Sequence, residues 1–310
     1  MMRAAVAAAA CLLASAPVLS QTEMPASSSR SAAAQAASAA AVAELQAGLA
    51  AARAGGAIKL GDRALWLASR EEGDTLRGDI HALSPTRYTE VRQALRRASA
   101  WCELLILHLN VKFCRAEGAP GEESLVLGLG RKFEQPLGDA HWIRLAFRLQ
   151  ETSDQRFAVG LEAAEGPLGT RNYRIALEAA PQGERETLLH VTYAYQSSWT
   201  ARAAMQVYLA TAGSDKVGFS REGRGAAAPF VGGMRGSLER NAMRYYLAIE
   251  AWLGTLGLAP SERQHRALEE WFTATERYPR QLQEVTRKEY IAMKTREVQR
   301  QQSRVRTPLD

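Results

Sequence analysis

The sequence lacks the short motifs by which several enzyme classes are recognised. It contains no Gly-x-Ser-x-Gly nucleophile turn, no Gly-x-x-x-x-Gly-Lys phosphate-binding loop and no His-Glu-x-x-His zinc helix. Gly128 and Gly130 lack the third glycine and the helix start that a dinucleotide-binding loop requires, and glycines that let a strand bend explain them better. These absences predict no metal and no cofactor, and they make an enzyme the less favoured class.

Long apolar runs are also absent after the first twenty residues, so no later stretch predicts a membrane span. The first twenty residues themselves resemble a secretory signal: Met1, Met2 and Arg3 precede an uncharged apolar run from Ala4 to about Leu19. A membrane anchor would need a longer apolar run, and a lipoprotein signal at Cys11 would need a longer apolar core before it. We predict cleavage after Ser20 and a periplasmic protein.

Cysteine is scarce, with three in the 310 residues. Removal of the signal takes away Cys11 and leaves Cys102 and Cys114. Two nearby cysteines in an exported chain favour a disulfide, which would restrict the unfolded chain by roughly 3 kcal/mol. A metal pair is the alternative, but neither a Cys-x-x-Cys motif nor clustered histidines accompany these cysteines.

The charge is positive and concentrated late in the chain. The formal net charge is +6, and residues 277–306 hold nine Lys and Arg against Glu284, Glu289 and Glu297. Such a tail can contact anionic lipid or nucleic acid. Its helical spacing favours a solvated helix face, with peripheral contact to an anionic membrane as the alternative and no nucleic-acid partner expected.

Hydrophobic periodicity divides the rest of the chain into helical and strand segments. After a flexible leader, an alanine-rich helix is predicted over residues 31–53, then strands over 64–68 and 76–83, a helix over 88–107 and a strand over 111–116. Period-two alternation predicts five further strands, of which residues 142–150 are the clearest, and one polar face indicates a half-covered sheet. A short helix at 201–212, a strand at 216–221 and a glycine-rich loop come next.

Three helices are predicted after that loop. Residues 234–256 carry one apolar face that includes Tyr245, with Arg240 and Arg244 turned away from it, so this helix should lie across the sheet. A helical pair over residues 261–278 and 280–303, broken at Pro279, ends the chain.

This order of strand, helix, antiparallel meander and long helix across the sheet is the helix-grip plan. From about Leu76 to Leu256 the chain resembles the START-like superfamily of lipid-transfer and polyketide-cyclase-like proteins, most closely in Gly78–Leu83, Thr89–Leu95 and Trp101. The resemblance implies an α+β fold: a curved antiparallel sheet, a long C-terminal helix packed across it, and extra C-terminal helices. It divides the chain into a signal peptide (1–20), a leader with an alanine-rich helix (21–56), a START-like domain (57–257) and a helical extension with a basic tail (258–310).

Proteins of this superfamily mostly hold hydrophobic ligands between sheet and helix, and no catalytic residue transfers to this chain. Polar side chains at the margins of the apolar helix face, together with tyrosines on one strand, are candidates to orient such a ligand. These candidates are Tyr193, Tyr195, Arg235, Asn241, Tyr245 and Tyr246. Each also has an ordinary alternative, since buried tyrosines are usually core residues and Arg235 with Glu239 makes an i,i+4 surface pair.

Three functions fit these observations. The first is periplasmic binding or carriage of a lipid or another elongated hydrophobic molecule in a cavity between sheet and helix. The second is a cyclase- or hydrolase-type enzyme that uses the same cavity, which would need an acid–base pair inside it. The third is an envelope interaction module that docks through the C-terminal helices.

Overall fold

A computed structural model of the chain describes residues 26–54, 56–198, 216–223, 227–303 and 307–309. The predicted signal peptide and the predicted helix at 201–212 lie outside these residues. The chain divides into two units, residues 1–37 and residues 38–310, and the second unit contains every strand. Within the described ranges, none of the helices combines the length and apolar character needed to cross a bilayer.

Nine strands form one antiparallel sheet. They are β1 (Ala57–Leu60), β2 (Arg63–Glu72), β3 (Thr75–Ser84), β4 (Val111–Glu117), β5 (Ser124–Leu129), β6 (His141–Thr152), β7 (Phe157–Glu165), β8 (Thr170–Gln182) and β9 (Glu186–Ser197). Their order across the sheet is β1-β2-β3-β9-β8-β7-β6-β5-β4. Strand β3 therefore pairs with the last strand of the meander, and β1 and β2 extend the sheet beyond it.

The helices are α1 (Ala26–Ala52), α2 (Tyr88–Leu95), α3 (Ala98–Leu105), α4 (Gly233–Leu253), α5 (Pro260–Glu276), α6 (Pro279–Leu282) and α7 (Arg287–Gln302). Helix α4 packs on β2, β3 and β9. At Gly78 of β3, an added Cβ would lie 3.5 Å from Ala242 and 3.6 Å from Leu238 of α4, so the missing side chain permits this close approach. The order and pairing of these elements confirm the helix-grip prediction.

Several predicted elements are corrected by the structure. The single helix at 88–107 is two helices, because the chain leaves helical geometry at Arg97, which has a ψ of 133°. The strand at 216–221 is absent from the described residues there, where only an isolated bridge joins Arg221 to Phe230. The helix at 280–303 is divided into α6 and α7.

The C-terminal helices contribute to the same core as the sheet. Trp271 and Phe272 of α5 and Tyr290 of α7 belong to the main hydrophobic cluster. The Tyr290 hydroxyl donates to the Leu107 carbonyl at 2.8 Å. On the edge strand β4, the Cys114 N–H donates to the Gln301 side chain at 3.0 Å, so α7 partly covers an edge that would otherwise expose backbone groups.

Candidate functional site

Four tyrosines meet between the sheet and α4. Tyr193 and Tyr195 lie on β9 and Tyr173 on β8, all on the face turned towards α4, because alternate strand residues share a face. Tyr245 reaches them from α4, with its ring centroid 5.2 Å from that of Tyr193. Tyr173 stacks on Tyr195 at 5.3 Å. We call this group the tyrosine cluster.

The hydroxyl groups of the tyrosine cluster are polar groups surrounded by apolar side chains. The Tyr193 hydroxyl donates to the Tyr173 hydroxyl at 3.1 Å. Burial raises the pKa of Tyr193 well above its usual value and also raises the pKa of Tyr173 and Tyr245. These phenols therefore stay protonated at neutral pH and can only donate or accept hydrogen bonds.

His108 continues the tyrosine cluster inward. Its ring stacks on Tyr245 with centroids 4.5 Å apart, and its side chain is 1 % exposed. Burial, reinforced by the positive charge of Arg244 and Lys294, holds its pKa well below the usual value. Nδ1 accepts the Asn110 N–H at 3.1 Å, so the proton of the neutral ring lies on Nε2. Among the described residues this buried Nε2 has no hydrogen-bond partner.

Two fully buried lysines lie beside His108. Lys294 Nζ donates to the His108 and Val111 carbonyls and to Glu297, each at 2.7 Å. Lys112 Nζ lies 3.2 Å from the other Glu297 carboxylate oxygen. Burial lowers the pKa of Lys294 to about 8 and also lowers the pKa of Lys112, while Glu297 opposes both shifts. Two ammonium groups therefore share one buried carboxylate.

A cleft opens at the rim of the tyrosine cluster. It has a volume of about 320 Å³ and is lined by Tyr173 and by Glu162, Ala163, Ala164, Asn172 and Arg174. A second cleft of about 150 Å³ lies between β1, α4 and α5 and includes Arg63, Glu250 and Ala274 in its lining. Elsewhere the side chains of the sheet and α4 pack closely, with Leu238, Ala242 and Val191 fully buried.

The structure brings together three of the six predicted site residues: Tyr193, Tyr195 and Tyr245. The other three contact different partners. Arg235 binds the side chain and carbonyl of Ser69 on β2, at 3.2 and 3.0 Å, instead of pairing with Glu239. Asn241 accepts a hydrogen bond from Arg244 at 3.3 Å. Tyr246 is buried close to Glu250 and Arg63.

Two members of the site were not among the predicted residues. The sequence pattern could have identified Tyr173, because it alternates with polar residues and lies on the apolar face of its strand. No sequence pattern could have identified His108, since it lies in the turn between α3 and β4. The prediction that Arg240 and Arg244 turn away from the core is wrong: both are buried, with Arg244 donating to Glu284 at 3.0 Å, because α6 and the following turn cover that side of α4.

A second polar cluster lies on the opposite face of the sheet. His190 is held between Asp79 and Glu178, with both nitrogen–oxygen distances 2.9 Å, and its ring stacks on His81 at 4.3 Å. Burial lowers the pKa of His190, but hydrogen bonds to the two carboxylates outweigh it and raise the value to about 8. Both ring nitrogens are engaged by these carboxylates, so His190 is not placed to exchange a proton with a substrate. Among the described residues no three side chains are placed to hold a metal ion.

No family model matches the sequence, and no curated protein matches it. Solved structures are similar in fold. Norcoclaurine synthase from Thalictrum flavum is 15 % identical over 47 % of this chain and 88 % of its own, with a TM-score of 0.33. The human StAR-related lipid transfer protein 5 is 12 % identical over 53 % and 84 %, with a TM-score of 0.32. Ara h 8.0201 is 9 % identical over 58 % and 97 %, with a TM-score of 0.36.

Proposed function

We propose that this protein binds a hydrophobic small molecule between strands β8 and β9 and helix α4, with entry through the cleft at Tyr173. The observation that carries the proposal is the tyrosine cluster itself, in which rings from the sheet and from α4 meet and one member, Tyr173, lines a cleft of about 320 Å³. Ligand sites are typically apolar clefts with a few polar groups that set orientation. The tyrosine hydroxyls are such groups.

The size of the cleft limits the ligand. Its volume lies near the lower end of the roughly 300–1,000 Å³ typical of ligand pockets. A lipid with a short chain, or a compact aromatic molecule, fits this space better than a long extended chain, which would require packed side chains to move. Burial of the ligand at roughly 0.8 kcal/mol per methylene would supply the affinity.

Native mass spectrometry of the protein purified gently from its own cells, followed by organic extraction, tests this proposal. We expect a stoichiometric apolar ligand. Ala163→Trp, which fills the cleft at Tyr173, should remove it, whereas Ala274→Trp, which fills the second cleft, should retain it. A protein that stays free of ligand after incubation with an envelope lipid extract would overturn the proposal.

We also propose that binding takes place in the periplasm. The sequence of residues 1–20 supports export, and the disulfide between Cys102 and Cys114, with Cα atoms 5.1 Å apart, suits an oxidising compartment. Cell fractionation and N-terminal sequencing test the location. A mature chain that begins at Gln21 in the periplasmic fraction is expected, and an unprocessed cytoplasmic chain would contradict it.

Contact of the C-terminal helices with an anionic membrane is a separate proposal. Arg287 pairs with Glu276 and Arg296 with Glu134, so much of the predicted basic tail is neutralised by neighbouring carboxylates. Cosedimentation with vesicles that contain anionic lipid tests the remaining exposed cations, such as Lys288. Binding that persists equally with neutral vesicles would exclude a role for the charge.

A further inference from the structure

We infer that His108 is the polar anchor of the ligand site, meaning the group that binds the ligand's head, and that the ligand is an apolar molecule carrying a carboxylate. The inference rests on the proposed function and names its ligand class. Its basis is the hydrogen-bonding state of His108, whose buried Nε2–H finds no acceptor in the part of the chain that the structure describes. A buried donor left unpaired destabilises the folded protein, and buried polar groups almost always have a hydrogen-bond partner.

The tautomer of His108 makes this group a donor and not a base. Nδ1 accepts the backbone N–H of Asn110, and the positive charges of Arg244 and Lys294 disfavour protonation of the ring. The neutral imidazole therefore presents one N–H, which can bind a carboxylate, carbonyl or hydroxyl oxygen. The ring can accept a further proton only at Nδ1, and doing so would break its bond to the Asn110 N–H.

The charge beside His108 selects a carboxylate from among these acceptors. Lys294 donates to the His108 carbonyl, and Lys294 and Lys112 both bind the single buried carboxylate of Glu297. Two ammonium groups against one carboxylate leave a positive charge away from solvent. An anion nearby would be stabilised by this charge more strongly than in water, because the local dielectric is low.

Contacting aromatic rings connect the cleft to His108. Tyr173, which lines the cleft, lies 5.8 Å from Tyr193 between centroids. Tyr193 lies 5.2 Å from Tyr245, and Tyr245 stacks on His108. In this inference a ligand that enters at Tyr173 displaces the Tyr193 and Tyr245 rings and brings its head to the edge of the His108 ring, because Nε2–H lies in the ring plane, while its apolar part remains among the tyrosines.

The test compares two probes of equal size, 2-naphthoate and 2-naphthalenemethanol, by calorimetry on the processed full chain. Wild-type protein should bind the carboxylate about ten-fold more tightly, since a hydrogen bond to a charged acceptor is stronger than one to a neutral hydroxyl. His108→Phe, which keeps an aromatic ring on Tyr245, should remove this preference. Tyr246→Phe, also on α4 but outside the tyrosine cluster, should keep it.

A measurement on the wild-type protein tests the anchor even if the His108 variant does not fold. Nitrogen NMR of labelled histidine should show His108 as the neutral Nε2–H form, and its Nε2 resonance should shift when naphthoate is added. Equal affinity for both probes, or a naphthoate complex that leaves this resonance unchanged, would overturn the anchor while leaving the binding function intact. Absence of binding by both probes, together with no ligand in the purified protein, would refute the proposed function and the anchor with it.

Discussion

Replacing His190 with glutamine should remove a loss of stability that the wild-type protein shows between pH 6.5 and 8. The folded state holds His190 as an imidazolium between Asp79 and Glu178, with a pKa of about 8 against 6.5 for the unfolded chain. Its contribution is therefore present below pH 6.5 and is lost as the pH rises through 8. A difference of this size corresponds to about 2 kcal/mol, and the side chain is only 12 % exposed.

Urea unfolding at a series of pH values from about 5 to 9 measures this effect as a pH-dependent free energy of unfolding. The wild-type value should fall by about 2 kcal/mol from pH 6.5 to well above pH 8 relative to that of His190→Gln. His265→Gln is the matched control, because His265 lies on the exposed surface of α5. Its pH dependence should follow that of the wild type.

An alkaline loss of the same size in wild type and His190→Gln would refute this reasoning. On the acid side His81 acts with the opposite sign: burial, with the nearby charge of His190, lowers its pKa to about 4. Its contribution is present above pH 6.5 and is lost as the pH falls towards 4. The two stacked histidines therefore predict maximal stability near pH 6.5, and His190→Gln should alter the alkaline side most.

Two further predictions concern stability. Gly48→Ala should lower the free energy of unfolding. Inside a helix this change normally raises stability by about 1 kcal/mol, but here the added Cβ would lie 2.8 Å from Nε2 of His81, whose ring is stacked on His190. His81→Ala in the same chain should restore the gain, and additive effects in a double-mutant cycle would contradict the clash. Reduction of the Cys102–Cys114 disulfide should cost about 3 kcal/mol, and an unchanged urea midpoint with reductant would refute this.

The strands were predictable because each carries local information. In β6, Ile143, Leu145 and Phe147 alternate with polar residues, and the structure buries these three. The pairing of β3 with β9 was not encoded in either segment alone and came from the order of elements. The break between α2 and α3 was missed because the apolar spacing of Val91, Leu95 and Ala98 continues across it.

The site was partly predictable for the same reason. Strand parity placed Tyr193 and Tyr195 on the inner face, and helical spacing placed Tyr245 opposite them. His108 was not predictable, because its position depends on how the turn after α3 packs beneath α4. The contacts of Arg235 were not predictable, because its partner Ser69 is distant in sequence and is brought close by the sheet.

His81, His108 and His190 lie far apart in the sequence. Two of them meet, because register pairs His81 directly with His190 across β3 and β9, whereas His108 lies near α4 on the other face of the sheet. Alternation along β9 places His190 on one face of the sheet and Tyr193 on the other, so this strand contributes both to a stabilising network and to the candidate binding site. Sequence alone does not specify which of the two a histidine joins.

The basic C-terminal segment illustrates how composition misleads when burial is unknown. Counted along the chain, it is an excess of cations whose helical spacing favours a solvated helix face, with membrane contact as the alternative. In the structure, Lys294 is fully buried and binds carbonyls at the turn before β4, and Gln301 accepts from that strand's backbone. The positive charge of Lys294 is therefore buried next to His108, while Arg287 and Arg296 pair with carboxylates at the surface. One cation of this segment thus supplies part of the field that we infer attracts an anionic ligand.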